Sequence, residues 1–356
     1  MRKSLQETTA FSLGGQLVYI SPQGQLHHCE MGWSGKTLAS PRITKDSYFR
    51  LASLTKVVTS LAYIKLKNKD KIKDNDRLID LIDTESSLED PRVAKINLGH
   101  LHQHTAGFDR YISPDPMLLF RQRSWCPSDL SRIETINLDY DPGERPSYSN
   151  LGYCLLGEVI AKSTGLDYRS SVESLLGLND YALEYTNGPY HRKEVRYDFR
   201  FTGFFGEGYY KFFNFYDSSS SFSLIGSASS FARLIFDNKD HLESIFSLQL
   251  ERLNCNTRKL RSCYYYSMQP MQITSTDILV FSHSGNLWGS TAFMMIDQFG
   301  GVMTWAGKGS PDPETHDFDS LKWQFYHALN THYSKHREVR SHIPTSKVAQ
   351  SGEPRD

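Results

Sequence analysis

The sequence predicts an α/β fold of the α+β type, with one sheet built from both chain ends and a helical region between them. Three observations carry this. Strand-like patterns stand near the N-terminus and return only from Asp277 onward. Helical spacing and turn clusters fill the middle, from about residue 70 to 240. An amphipathic helix follows the last strands.

The elements are justified in order. "GGQLVYISPQGQLHHCEMGW", from Gly14, reads as two strands joined at Pro22-Gln23-Gly24. In "FRLASLTKVVTSL", Leu54, Val57, Val58 and Leu61 recur at i, i+3, i+4 and i+7, the spacing of one buried helix face. That helix ends near the lysine-rich run "KLKNKDKIKDND". "NLGYCLLGEVIAKSTG" is a second helix with a glycine stop at Gly165. "DILVFSH" and "STAFMMIDQFGGVMTWAG" are β-rich, with Phe299-Gly300-Gly301 as a tight turn. In "FDSLKWQFYHALNTHY", Phe318, Leu321, Phe325, Ala328 and Leu329 share one helical face. The expected organisation is one domain over 13–335 and a loose polar tail over 336–356.

Composition excludes several classes. Lys+Arg and Asp+Glu are both 40, so there is no electrostatic footprint for nucleic acid or an anionic membrane. No apolar run approaches the ~20 residues of a membrane span. The N-terminus lacks a continuous apolar segment of the secretory type. The five cysteines are odd in number and scattered, and none forms C-x-x-C. They indicate neither a zinc knuckle nor a disulfide framework. These features point to a cytoplasmic chain.

Lys56 interrupts the apolar helix pattern three residues after Ser53, so the two side chains are surface neighbours at the helix start. Alone, the pair reads as a cap and a snorkelling lysine. Two later motifs change that reading: Tyr148-Ser149-Asn150 before a helix, and His283-Ser284-Gly285 at the end of a strand. S-x-x-K with later partners of this kind marks penicillin-recognising serine enzymes.

From about Gly14 to Tyr333 the chain resembles the class C β-lactamase-like serine hydrolases, which include D,D-peptidases, D-aminopeptidases, esterases and some acyltransferases. The resemblance rests on "FRLASLTK", "LGHLHQHTAGF", "PGERPSYSN", "GSASSFARLI" and "HSGNLWGSTAFMMID". It implies a mainly antiparallel sheet flanked by helices plus an all-helical region, with the active site between them. It also implies an acyl-enzyme on Ser53. Lys56 as a neutral base, or Tyr148 as a phenolate stabilised by charged Lys56, would activate the hydroxyl. Asn150 would bind Lys56 and the substrate amide. His283 would orient Tyr148 or a substrate carboxylate. The backbone N–H groups of Ser53 and Asn286 would form the oxyanion hole. Ser284 and Gly285 would line the substrate strand. Asn286 departs from the small residue more frequent after H-x-G, and is expected to narrow that entry.

Two further features need weighing. His100, His102 and His104 imitate a zinc motif, but Gln103 and Thr105 break it, so no metal and no cofactor is expected. The aromatic run Phe201–Tyr216 is either core or an apolar wall for the acyl group, with Tyr209 and Tyr210 as its candidate substrate contacts. The reading is a serine hydrolase for an ester or amide, peptide-like substrate. Acyl transfer or peptide cyclisation shares every motif. A catalytically silent binding protein is the non-enzyme alternative.

Overall fold

The computed structural model describes residues 13–36, 39–82, 87–119, 122–197, 210–211, 213–242, 255–309 and 318–341. Strand β1 (Gly14–Ile20) and strand β2 (Leu26–Gly32) form the expected hairpin, with Gly24 at φ 84° in its turn. The short strand β3 (Phe49–Arg50) leads through a single 3₁₀ turn, Ala52–Leu54, into helix α1 (Thr55–Lys67). Helix α2 (Leu98–His102) and helix α3 (Asn150–Thr164) follow, and α3 stops at Gly165 in a left-handed conformation, as its sequence predicts. Next come helix α4 (Tyr168–Leu176), short strands β4 (Glu184–Tyr185) and β5 (Leu224–Gly226), and helix α5 (Ala228–Asp237). Strands β6 (Gln269–Met271), β7 (Val280–Leu287), β8 (Ser290–Asp297) and β9 (Val302–Lys308) precede the final helix α6 (Phe318–Ser341). That helix runs past residue 336, where the sequence suggested a tail; 342–356 lie outside the described residues.

The two chain ends do share one sheet. Its order is β2-β1-β9-β8-β7-β6, and every pair is antiparallel. Side chains alternate across it as a pleated strand requires. Leu17, Phe293, Met295 and Trp305 face Leu321, Phe325 and Leu329 of α6. Val18, Met294, Ile296 and Ala306 join the larger core with α1, α3 and α5. The middle region is mainly helical and also carries a second sheet, β3-β5-β4, which fastens it to the segment before Ser53.

The cysteine expectation is corrected. Cys126–Cys154 and Cys255–Cys263 are disulfides, with Cα atoms 6.2 and 5.6 Å apart, and Cys29 is free. The first pair is 28 residues apart in sequence and meets only because α3 folds back on the 122–128 segment. Linear spacing carries no sign of that contact. Among the described residues no helix is long and apolar enough to cross a membrane.

Candidate active site

Ser53 is half-buried in the 3₁₀ turn between β3 and α1. The preceding Ala52 is fully buried at φ 47°, a left-handed conformation that costs a non-glycine residue about 1–3 kcal/mol. Neighbouring packing holds this turn. The Ser290 hydroxyl donates to the Arg50 carbonyl at 2.8 Å, and Thr55 Oγ1 donates to the Ala52 carbonyl at 2.6 Å. Strand β7 passes very close: a Cβ at Gly285 would collide with the Leu51 carbonyl and lie 3.0 Å from the Ser53 nitrogen. Glycine is therefore required there for the approach. Strand β6 pairs with β7 only as far as Ser282. Among the described residues, His283–Leu287 thus leaves an open strand edge beside Ser53, with Ser284 half-buried and Asn286 exposed.

Lys56 Nζ is 3.4 Å from Ser53 Oγ and donates to Asn150 Oδ1 at 2.7 Å and to the Ser221 carbonyl at 3.0 Å. All three partners are uncharged. Burial pushes Lys56 well below its usual value; the Asp115 charge opposes that shift and Arg110 adds to it. The arrangement favours a neutral amine beside the hydroxyl.

Tyr148 lies over this amine, its ring centroid 4.9 Å from Lys56 Nζ. Its ring is partly exposed, but its hydroxyl is buried and makes no hydrogen bond of normal geometry. Burial raises its pKa above the usual phenol value, with the Ser53 hydroxyl and the Arg110 guanidinium opposing. His104 sets the backbone around it. The Ser147 N–H donates to the His104 carbonyl at 2.7 Å, and the Ser149 N–H to His104 Nδ1 at 3.2 Å. The His104 and Tyr148 rings lie 4.4 Å apart.

Asn150 opens α3. Its backbone N–H and its Nδ2 both donate to Asp115 Oδ2 at 3.0 Å. His283 is 1% exposed and donates from Nδ1 to the Ser267 carbonyl at 2.7 Å. Its ring lies 6.2 Å from that of Tyr148. Burial and the nearby Lys56 push His283 down to about 3, so it is neutral near pH 7 and supplies no charge for a carboxylate.

Structure and sequence can now be compared residue by residue. Ser53, Lys56, Tyr148 and Asn150 come together, and β7 brings His283, Ser284, Gly285 and Asn286 alongside. Tyr210 is buried, with Arg50 stacked 3.8 Å over its ring and its hydroxyl on the carbonyl of Trp288, two residues beyond Asn286. Tyr209 lies outside the described residues. The three histidines diverge. His100 completes a capping box with Asn97, His102 stacks on Tyr266, and His104 supports Tyr148. Asp115 and the Ser221 carbonyl went unread in the sequence. An Asp-Pro pair signals only a turn, and a carbonyl acceptor has no residue signature.

Comparison with known proteins decides the family. The model described as Beta-lactamase matches residues 12–320. The chain belongs to the β-lactamase family. It is a serine hydrolase of that family. It is 32% identical over 326 residues to a probable fimbrial assembly protein FimD, serogroup H1, of Dichelobacter nodosus, covering 91% of this chain and 82% of the relative. It is 29% identical over 154 residues to the D-alanyl-D-alanine-carboxypeptidase/endopeptidase AmpH of Escherichia coli K12, covering 40% of this chain and 38% of the relative. Among solved structures, the D-amino acid amidase of Ochrobactrum anthropi SV3 complexed with L-phenylalanine amide superposes with a TM-score of 0.70 at 16% identity, covering 94% of this chain and 99% of that one. That likeness shows the fold.

Proposed function

We propose that this β-lactamase-family chain forms an acyl-enzyme on Ser53 with small amide or ester substrates of peptide-like character. The carrying observation is Lys56: a fully buried amine, 3.4 Å from the Ser53 hydroxyl and held, among the described residues, by neutral acceptors. Ser53 Oγ attacks the carbonyl and its proton passes to Lys56. The oxyanion is received by the N–H groups of Ser53 and Asn286, each such donor typically worth about 10²–10³ in rate. Tyr148, protonated at rest, gives its proton to the leaving group and is reprotonated by Lys56, which restores the neutral amine; water then releases the acyl group by the same relay in reverse. Asn150 holds Lys56, and His283 fills the wall behind Tyr148.

Amide substrates are favoured by the relatives named as a carboxypeptidase and an amidase. Small activated esters need less leaving-group assistance and serve as test substrates. A neutral His283 gives no cation for a β-lactam carboxylate, so cephalosporin turnover is expected to be slow. Intact mass after incubation with a fluorophosphonate and, separately, with a penicillin tests the mechanism. A single adduct that disappears in Ser53→Ala supports it; hydrolysis that survives Ser53→Ala refutes it. Catalytic efficiency on p-nitrophenyl esters against a chromogenic cephalosporin tests the substrate range. Adding an amine acceptor separates acyl transfer from hydrolysis. A chain that never labels would revive the silent binding protein.

A second reading, a part in fimbrial assembly, is favoured by the 32% identity to the Dichelobacter nodosus protein. Deleting the gene in a fimbriate host and complementing with wild type or Ser53→Ala would show whether assembly needs the chain and its nucleophile. The compartment is open to the same kind of test. The sequence suggested the cytoplasm, whereas two disulfides suit an oxidising compartment. Thiol counting by mass without reductant separates these: one free thiol supports oxidation, five the cytoplasm.

A further inference from the structure

The mechanism leaves unused a buried acid that touches Asn150, the partner of Lys56. Asp115 is 8% exposed and accepts three N–H groups: those of Met117, at 3.0 Å, and the backbone and side-chain nitrogens of Asn150. We infer that Asp115 is a positioning residue of this site: through the Asn150 amide it fixes the acceptor used by Lys56, and it supplies the negative charge that Lys56 lacks at first hand.

Asn150 has a donor end and an acceptor end. Asp115, an acceptor, takes Nδ2 at 3.0 Å; Lys56, a donor, takes Oδ1 at 2.7 Å. Each partner enforces the same orientation. If Asp115 were removed, the amide would be free to turn its NH₂ toward the amine, donor against donor. The carboxylate is built in. It lies at the N-terminus of α3, the end that favours an anion. Ser124 Oγ donates to Met117 Sδ at 3.0 Å, and Cys126–Cys154 ties the same segment to α3.

Asp115 also balances charge. The ionisable groups felt around Lys56 are Arg110 on the same loop as Asp115, His104 after α2, and His283 on β7. The Tyr148 and Tyr153 rings lie 4.9 and 5.7 Å from Nζ. Among the described residues, Asp115 is the group that acts to keep the proton on Lys56 against burial and Arg110. It does so across an amide rather than by direct contact, so the charge is moderated and not locked.

The inference rests on the proposed Ser53 chemistry, and its test separates the two. kcat/KM is measured against pH on a p-nitrophenyl ester for wild type, Asp115→Asn and Asp115→Glu. Removing an opposite charge at this range lowers a pKa by about 1 unit or more, so the Lys56 limb of the Asp115→Asn profile is expected to move that far toward acid, with Asp115→Glu within about half a unit of wild type. A limb at low pH that moves identifies neutral Lys56 as the base; one at high pH identifies charged Lys56. A lower rate with an unmoved profile, or a shift toward alkali, overturns the inference. If Asp115→Asn is too unstable to assay, Asp115→Ala with added formate replaces it: formate must restore the wild-type limb. If Ser53 never acylates, the ¹³C-NMR titration of Lys56 Cε, assigned by its loss in Lys56→Met, reads the same shift without turnover. An unshifted resonance in Asp115→Asn again overturns the inference.

Discussion

Arg50 and Lys56 are six residues apart, both fully or nearly fully buried, and Ser53 lies between them. Their surroundings differ in one respect. Arg50 Nε meets Glu194 directly at 2.7 Å, its guanidinium lies 3.8 Å over Tyr210 and 4.9 Å over Phe215, and Tyr197 donates to the same carboxylate at 3.1 Å. Burial alone would weaken its hold on a proton, but Glu194 and the nearby tyrosines more than reverse that. Lys56 gets an amide oxygen, a carbonyl and a hydroxyl, with its nearest carboxylate one residue removed. One cation is paired outright and anchors the turn. The other is left able to lose its charge. Equal burial thus produces a structural group and, on the proposed mechanism, a chemical one, depending on whether the first neighbour is charged.

The largest expected effect breaks the chemical side. Lys56→Met should lower turnover on a p-nitrophenyl ester by about 10²–10⁴, the range for losing a positioned acid–base group. Thermal unfolding should stay at or above the wild-type temperature, because an apolar side chain replaces a fully buried amine whose desolvation is costly. An unfolded Lys56→Met chain would show that both cations are structural.

The structural side should break in the opposite way. Arg50→Met leaves Glu194 buried without its partner and should cost about 3–5 kcal/mol of stability. Urea denaturation measures it. The double variant Arg50→Met/Glu194→Leu should recover much of the loss, since an apolar pair avoids the desolvation penalty altogether. A double variant no better than the single one would mean that the aromatic stacking, rather than the ion pair, carries the anchor.

This contrast explains what could be read from the sequence. That Ser53, Lys56, Tyr148 and Asn150 belong together could be read because the proposed chemistry needs those side-chain types at near-fixed local spacing, and the structure does bring the four together. The hairpin and the Gly165 stop were legible because turn and cap geometry is local. Glu194 was not, because it reaches Arg50 from 144 residues away. Asp115 and His104 act through backbone N–H groups and an amide, which any sequence supplies. The disulfides depend on the fold, and an odd cysteine count concealed them. Tyr210 was left between core and cleft wall because aromatic residues carry no label for which cluster they join.

A smaller effect sharpens the comparison through pH. Folding lowers the proton affinity of Lys56, so between its depressed value and the usual ~10.4 the unfolded chain binds more protons than the folded one. Stability contributed by this site therefore rises with pH across that window and is lost as pH falls through the folded value. Arg50 adds no such slope, because a guanidinium stays protonated in both states. The stability difference, wild type minus Lys56→Met, should grow as pH is raised toward about 10. A flat difference in urea titrations would mean that Lys56 stays charged in the fold.

The smallest effect comes from a third ionisable group, one without a hydrogen bond or ion pair among the described residues. Glu158 lies on α3 and lines a cavity of about 310 Å³ that also meets Arg123, Asp167, Arg169 and Asp217. Among the described residues its carboxyl makes no hydrogen bond or ion pair. Burial raises it to about 7, with Lys162 opposing only in part. Here the sign is reversed. Between its ordinary value of 4.5 and about 7, the folded chain binds more protons than the unfolded one, so this contribution falls as pH rises. Glu158→Gln keeps the shape and removes the titration. It should raise Tm by roughly 1–3 °C at about pH 8 and leave it unchanged at about pH 4, the scale of a sub-kcal to 1 kcal/mol effect in a large domain. An equal gain at both pH values would trace to packing rather than charge. Paired, indirectly paired and unpaired, the three groups would then order themselves by the charge of the neighbour rather than by depth.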